Sequence, residues 1–333
     1  MTGLVTIEEI QAAAARLAGV IVATPLVPFP GVDPRLLLKP ECLQPTGSFK
    51  LRGAYTAISA LPPDARERGV VAHSSGNHAQ AIAYAAAMLG VPATVVVPDN
   101  APEAKLAPAR RLGAQIVTVE PTLAARIAAT EDLIGRYGYT LIPPFDHRDV
   151  IAGQGTIGLE IAQQCPEVDL VAVPISGGGL ISGIAAAIRA ACPGARVIGV
   201  EPELAAHARD SFLRHERVAW AASDTQRTIA DALRVEQVGV LPFQHILSLV
   251  DDVVTVTEDE IRAAMRRTAA QAHLVAEPGG AVAIAACLSG RDLPAARAPV
   301  AVLSGGNVDL SVYAAVLARG GDPPEPPGGQ MPL

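Results

Sequence analysis

The chain has 333 residues, half of them hydrophobic, enough for about two domains with well-filled cores. Its formal charge is −7 at pH 7 and aromatic residues make up only 3%, which excludes a basic, aromatic-interleaved surface for nucleic acid. Four widely separated cysteines, Cys42, Cys165, Cys192 and Cys287, lack the paired spacing of zinc or redox motifs and read as reduced thiols in a cytosol.

The first ten residues carry two glutamates and no positive region before an apolar core, unlike a secretion signal, so a cytoplasmic location is expected. Thr6 and Glu9 have the spacing of a capping box and predict a helix to about residue 18. A short strand over 35–39 leads into PECLQPTGSFKLRGA, residues 40–54, where Pro45, Thr46 and Gly47 form a turn. Ser48 is the expected N-cap of a helix to about residue 60, which Pro62 and Pro63 end. From residue 70 the pattern alternates: strand 70–73, helix 77–89, strand 93–97, helix 102–112, strand 115–119, helix 122–137. Such alternation predicts parallel βαβ units. Helix 150–164, strand 169–174, helix 180–191 and strand 196–200 continue the architecture, on a second sheet.

Between 203 and 251 the periodicity is weak and specifies no firm element. Thr257 and Glu260 form a second capping box opening a helix to about 273, Pro278 starts another, and 300–303 is a final buried strand. The tail from 319 to 333 is rich in proline and glycine and is expected to be flexible. The uncharged runs 79–98 and 170–188 are long enough to raise a membrane question. Each is interrupted by proline and glycine where helix and strand should meet, so both read as buried parallel elements and no membrane association is expected.

Lys50 is flanked by Phe49 and Leu51 near a predicted helix start. The helix dipole and a neighbouring ring both push an amine there toward its neutral, nucleophilic form, although a solvated helix lysine would satisfy the same local pattern. Three further stretches suit a small anionic, planar ligand, and each follows a predicted strand: SSGNHAQ at 74–80, SGGGL at 176–180 and SGGN at 304–307. Glycines at a helix N-terminus let backbone N–H groups crowd round a phosphate, and a tight turn chosen for packing would also use them. The hydroxyls and amide of the first stretch suit a carboxylate, while Asn77 also fits a helix cap and His78 a packed helix residue. Ser304 stands where a hydroxyl could meet a ring nitrogen.

Together, PTGSFKLRGA, SSGNHAQAIAYAA, VIAGQGTIGLEI, SGGGLISGIA, GVEPE, TIADALR, VTVTEDEI and LSGGNVDL resemble the fold-type II pyridoxal phosphate (PLP) enzymes, specifically the threonine/serine dehydratase and serine racemase family, from about residue 5 to 318. The resemblance implies an α/β fold like the tryptophan synthase β subunit, with two parallel-sheet domains: a large discontinuous domain, 1–65 and 148–318, and a small mobile domain, 66–147. It places the cofactor-bearing catalytic lysine at Lys50, a ring-packing aromatic at Phe49, a contact to the cofactor's phenolic oxygen at Asn77, the phosphate loop on Ser176, Gly177, Gly178 and Gly179 with Leu180 following, and the pyridine-nitrogen partner at Ser304. The substrate carboxylate would lie on Ser74, Ser75, Gly76, Asn77 and His78. The implied reaction is removal of the α-proton by Lys50 and loss of the β-hydroxyl from L-threonine, L-serine or a related 3-hydroxy amino acid, giving a 2-oxo acid and ammonia, and the family expectation is a homodimer.

Departures from the family pattern shape the alternatives. Dehydratases of the family commonly carry alanine at Ser75, whereas its racemases carry a serine that serves the face opposite the lysine, so a serine or other amino-acid racemase with side elimination remains an alternative, as does a hydroxyaspartate-type dehydratase. A divalent-cation site would fall on Glu201, the Ala205 carbonyl and His207, but the family has aspartate where this chain has His207, and imidazole is a poor ligand for magnesium or calcium. Ser176 replaces the first glycine of the phosphate loop, and Ala232 stands where the family has glycine.

Overall fold

The structure is a computed structural model that describes residues 3–33, 35–74, 76–101, 103–289 and 293–318. Its strands in chain order are β1 (Val27–Pro28), β2 (Leu37–Pro40), β3 (Val70–His73), β4 (Ala93–Pro98), β5 (Gln115–Val119), β6 (Thr140–Leu141), β7 (Leu170–Pro174), β8 (Arg196–Pro202), β9 (Asp252–Val256) and β10 (Pro299–Leu303). They form two sheets. The larger runs β1-β2-β10-β7-β8-β9, with only the β1–β2 pair antiparallel, and the smaller runs β5-β4-β3-β6, all parallel.

Side-chain alternation explains why the central strands are apolar throughout. Leu170, Ala172, Ala301 and Leu303 face one cluster, shared with helices Glu258–Arg267 and Pro278–Ser289. Val171, Val173, Val300 and Val302 face another, shared with helices Arg148–Gln164 and Gly179–Ala191. A parallel sheet covered on both faces has no polar side to show. The two helices on the second face pack at backbone contact: a Cβ on Gly183 would lie 2.2 Å from the Ile151 carbonyl oxygen and 2.4 Å from the Gly155 nitrogen, so no side chain fits there.

Helix Lys50–Ala60 sits where the two sheets meet. Leu51, Ala54, Ala57 and Ile58 join Val70 and Ala72 of β3, Ile82 of helix Asn77–Leu89 and Val150 in one apolar cluster. Position 50 is therefore fixed by contacts with both halves of the molecule.

Both capping boxes form as expected, Thr6 with Glu9 and Thr257 with Glu260. Ser48 is not the cap of the lysine helix: Phe49 occupies that position without a side-chain cap, and Ser48 instead makes a β-bridge with Gly305. The uncharged runs resolve into helix Asn77–Leu89 with β4, and β7 with helix Gly179–Ala191. Among the described residues no helix is long and apolar enough to cross a membrane. The expected tail, 319–333, lies outside the described residues. All four cysteines are free.

Candidate active site

The site is assembled by pairing two loops far apart in sequence. Phe49 N–H donates to the Ser304 carbonyl at 3.0 Å, Gly306 N–H to the Gly47 carbonyl at 2.9 Å, and the Asn307 amide to the Thr46 carbonyl at 2.8 Å. The loop after β10 is thus sewn to the turn before Lys50, and Ser304, 4% exposed, is held beside Phe49.

Lys50 Nζ donates to the Pro144 carbonyl at 2.8 Å and lies 4.9 Å from the centre of the Phe49 ring. Burial pushes its pKa down to about 8, against the opposing pull of the Glu277 carboxylate. Residue 50 as a whole is half-buried. An ordinary solvated lysine would be protonated almost completely at neutral pH; this one has an appreciable neutral fraction.

The loop after β7 is shaped as a cradle. Gly178 has φ +90°, a conformation that favours glycine, and a Cβ on Gly177 would lie 2.2 Å from ring carbons of Phe145. Gly179 begins the helix, and Ser182 Oγ ties its first turn by donating to the Gly178 carbonyl at 2.7 Å. Leu180 turns into the core behind the loop. Ser176 Oγ is buried without a hydrogen-bond partner, as are Thr46 Oγ1 and Ser48 Oγ in the turn before Lys50. Orphaned hydroxyls of this kind beside a helix N-terminus fit an anionic ligand.

The third loop follows β3. Gly76 precedes helix Asn77–Leu89 and a Cβ there would meet nothing within 4 Å, so the loop has open space in front of it. Ser74 Oγ accepts from the Gly76 N–H at 3.3 Å. Asn77 reaches across to Asn307 and Glu277. His78 is packed: its Nε2 donates to the Ile142 carbonyl at 2.8 Å, and burial, aided by Lys50, pushes its pKa down to about 3. It is a neutral structural imidazole, and its side chain faces the 142–147 connection. Ser75 lies outside the described residues.

Two features escaped sequence reading. Glu277, buried just before helix Pro278–Ser289, meets Asn77 across 200 residues of chain. Phe145 covers Gly177 and Gly179 from the connection that also supplies the Lys50 acceptor. Neither belongs to a glycine-rich loop, so no local pattern points to them.

The implied cation site is not supported. Glu201 is fully buried and accepts the Ala208 N–H at 3.0 Å and the Arg209 N–H at 2.7 Å, at the start of helix His207–Arg214. The His207 ring is also fully buried, with Nδ1 2.9 Å from Glu201 Oε1 but too poorly aligned for a hydrogen bond. A buried carboxylate that accepts two N–H groups of the helix N-terminus and has an imidazole packed against it does not fit a hard, oxygen-seeking cation. Among the described residues no group of three or more His, Cys, Asp or Glu side chains is placed to hold a metal. Ala232 is exposed and faces Gly279, whose added Cβ would lie 3.2 Å from it.

A buried lysine with a lowered pKa, a glycine-rich turn at a helix N-terminus and a buried serine paired to the residue before that lysine are brought together by loops that follow parallel strands, where ligands bind in open α/β sheets. A family model described as "Pyridoxal-phosphate dependent enzyme" matches residues 17–305. An L-threonine ammonia-lyase of Thermotoga maritima is 40% identical over 95% of this chain and 79% of its own length. An L-threo-3-hydroxyaspartate ammonia-lyase of Saccharomyces cerevisiae is 39% identical over 87% of this chain and 88% of its own. The structure of maize serine racemase superposes with a TM-score of 0.90 at 36% identity, covering 94% of this chain and 97% of the racemase. The chain belongs to the fold-type II pyridoxal-phosphate dependent enzymes, in the threonine/serine dehydratase and racemase family.

Proposed function

We propose that the protein is an ammonia-lyase that converts L-threonine, L-serine or a related 3-hydroxy amino acid to a 2-oxo acid and ammonia. The observation that carries this reading is Lys50: an amine with a pKa of about 8, anchored on the Pro144 carbonyl, in a chain that also buries the Ser176 hydroxyl without a protein partner at a glycine-rich helix start. When bound, pyridoxal phosphate supplies the electron withdrawal that makes the α-hydrogen of an amino acid acidic. The N–H groups and Ser176 hydroxyl of the 176–179 loop would hold its phosphate, and Phe49, Asn77 and Ser304 would hold its ring, with Asn77 assigned to the phenolic oxygen and Ser304 to the ring nitrogen. Lys50 removes the α-proton in its neutral form, and the Ser74–Asn77 loop orients the substrate carboxylate. A hydroxyl at Ser304 does not force protonation of the ring nitrogen as a carboxylate would, which favours rapid elimination over long-lived carbanion chemistry.

The sheet containing β3 to β6 carries the carboxylate loop, and its closure as a small domain over 66–147, against a large domain over 1–65 and 148–318, would exclude water from the site. A cytoplasmic homodimer completes the proposal.

The test is the visible spectrum of the purified protein with pyridoxal phosphate, followed by assay of L- and D-3-hydroxy amino acids for 2-oxo acid, ammonia and the opposite enantiomer. Oxo acid from L-threonine or L-serine is expected; enantiomer appearing first assigns the protein to the racemases instead. That second reading rests on Ser75 and the likeness to maize serine racemase. Under it, Ser75→Ala abolishes racemisation and spares elimination of the L-substrate.

A further inference from the structure

Asn77 lies in a hydrogen-bond chain whose direction is set from one end. The Thr46 carbonyl can only accept, so the Asn307 side chain must turn its NH2 toward it, at 2.8 Å. The same NH2 donates to Asn77 Oδ1, also at 2.8 Å, which fixes the second amide with its oxygen toward Asn307 and its NH2 away. Asn77 Nδ2 then donates to Glu277 Oε1 at 2.7 Å, and a carboxylate is a suitable acceptor at that end. Glu277 is itself held by its backbone N–H on the Gly305 carbonyl at 3.0 Å and is 4% exposed. Amide oxygen and nitrogen are distinguished only by such networks, and here every link agrees.

We propose that Asn307 and Glu277 are positioning residues that fix the polarity of the Asn77 amide, so that it offers a hydrogen and not a lone pair to the bound cofactor. The NH2 group has two hydrogens. Glu277 takes one and thereby orients the other. Asn307 prevents the amide from flipping, because a flip would set two NH2 groups against each other at one end and an amide oxygen against a carboxylate at the other. The chain joins the turn before Lys50, the loop after β10 and the start of helix Asn77–Leu89, so a donor is ready before any ligand arrives. The inference rests on the assignment of Asn77 to the cofactor's phenolic oxygen.

The experiment compares the visible absorption band of the bound cofactor, and cofactor affinity by equilibrium titration, in five variants. Asn77→Ala tests the underlying assignment and should move the band and weaken binding. Asn307→Asp replaces the orienting donor by an acceptor-only group, so that either orientation of the Asn77 amide sets its oxygen against a carboxylate; the fixed polarity is lost, and the band should shift in the same direction with cofactor binding weakened at least about tenfold. Asn307→Ala removes the orienting donor without adding a second carboxylate and should fall between wild type and the aspartate. Glu277→Gln keeps an acceptor for Asn77 and should retain the wild-type band, whereas Glu277→Leu should not. If Asn77→Ala leaves the spectrum unchanged, the contact to the phenolic oxygen is wrong. If Asn77→Ala shifts it while Asn307→Asp and Asn307→Ala do not, the contact stands and the relay is overturned. A purely structural role for Asn307 would lower the melting temperature of both its variants and leave the band where it is.

Discussion

Two polar clusters lie two residues apart in sequence and differ in one respect, the completeness of their hydrogen bonding. Arg52, fully buried, holds Glu41 through Nε at 2.7 Å and Nη2 at 2.8 Å, and Glu160 through Nη1 at 2.6 Å. Lys39 joins Glu160 and the Thr24 carbonyl, each at 2.5 Å, while Thr24 and Gln44 add hydrogen bonds to Glu41. Two cations and two carboxylates balance, and the guanidinium is shared between both acids. Around Lys50, by contrast, Thr46, Ser48 and Ser176 keep buried hydroxyls without partners and the amine settles for a backbone carbonyl. A saturated buried network positions the helix; under the proposed function, the unsaturated hydroxyls are the ones a ligand would complete.

The sharpest way to break that contrast is Lys50→Ala, expected to reduce turnover at least about 10³-fold while the protein stays folded, measured by steady-state assay alongside circular dichroism. Comparable activity in this variant would remove Lys50 from the chemistry. Arg52→Met should act in the opposite sense, on stability: removing one partner of a buried pair leaves the carboxylates uncompensated and costs about 3–5 kcal/mol, read as a lower denaturant midpoint. A midpoint equal to wild type would mean that the cluster is not holding the lysine helix.

Acid should loosen the scaffold more gently. His78, pushed down to about 3, and His245, also lowered mainly by burial, are neutral when folded, and the unfolded chain binds more protons below the ordinary histidine value of 6.5. Their contribution is complete above that value and is lost as pH falls toward the folded pKa, at up to about 1.4 kcal/mol per pH unit for each ring. Unfolding midpoints at pH 7.5 and 5, in wild type and His78→Gln, check this: the variant should show the shallower dependence. The smallest effect concerns the Glu201–His207 pair. Millimolar magnesium, calcium or chelator should leave the melting temperature unchanged, and a rise of several degrees with either cation would show that the imidazole gives way to a metal.

Local chemistry decides how much of this was legible in the amino-acid order. Capping boxes, strand-helix alternation and glycine-rich turns act over a few residues, so the helices opened by Thr6 and Thr257, and the turns that follow β3, β7 and β10, are readable directly. Ser48 has the residue type and position of a cap, but its bridge to Gly305 comes from a loop more than 250 residues away and no local pattern signals it. Within 203–251, where the periodicity is weak, helices His207–Arg214 and Val240–Leu249 open without a side-chain cap, so no local start signal marks them. Helix Pro63–Arg68 was hidden because its prolines also mark the end of the preceding helix, although a proline at the first helical position is well placed. Glu277 and Phe145 were invisible for the same reason as the Gly305 bridge: their roles exist only once distant segments meet.

The 142–147 connection brings three contacts together within three residues. The Pro144 carbonyl holds the Lys50 amine, Phe145 covers Gly177 and Gly179, and Asp146 accepts the Val240 and Leu241 N–H groups at 2.7 and 3.0 Å, at the start of helix Val240–Leu249. Surface connections usually tolerate added or deleted residues. Here a change of one residue in length would put all three out of phase at once, so sequence drift along this connection should proceed by substitution, with insertions and deletions confined to other loops.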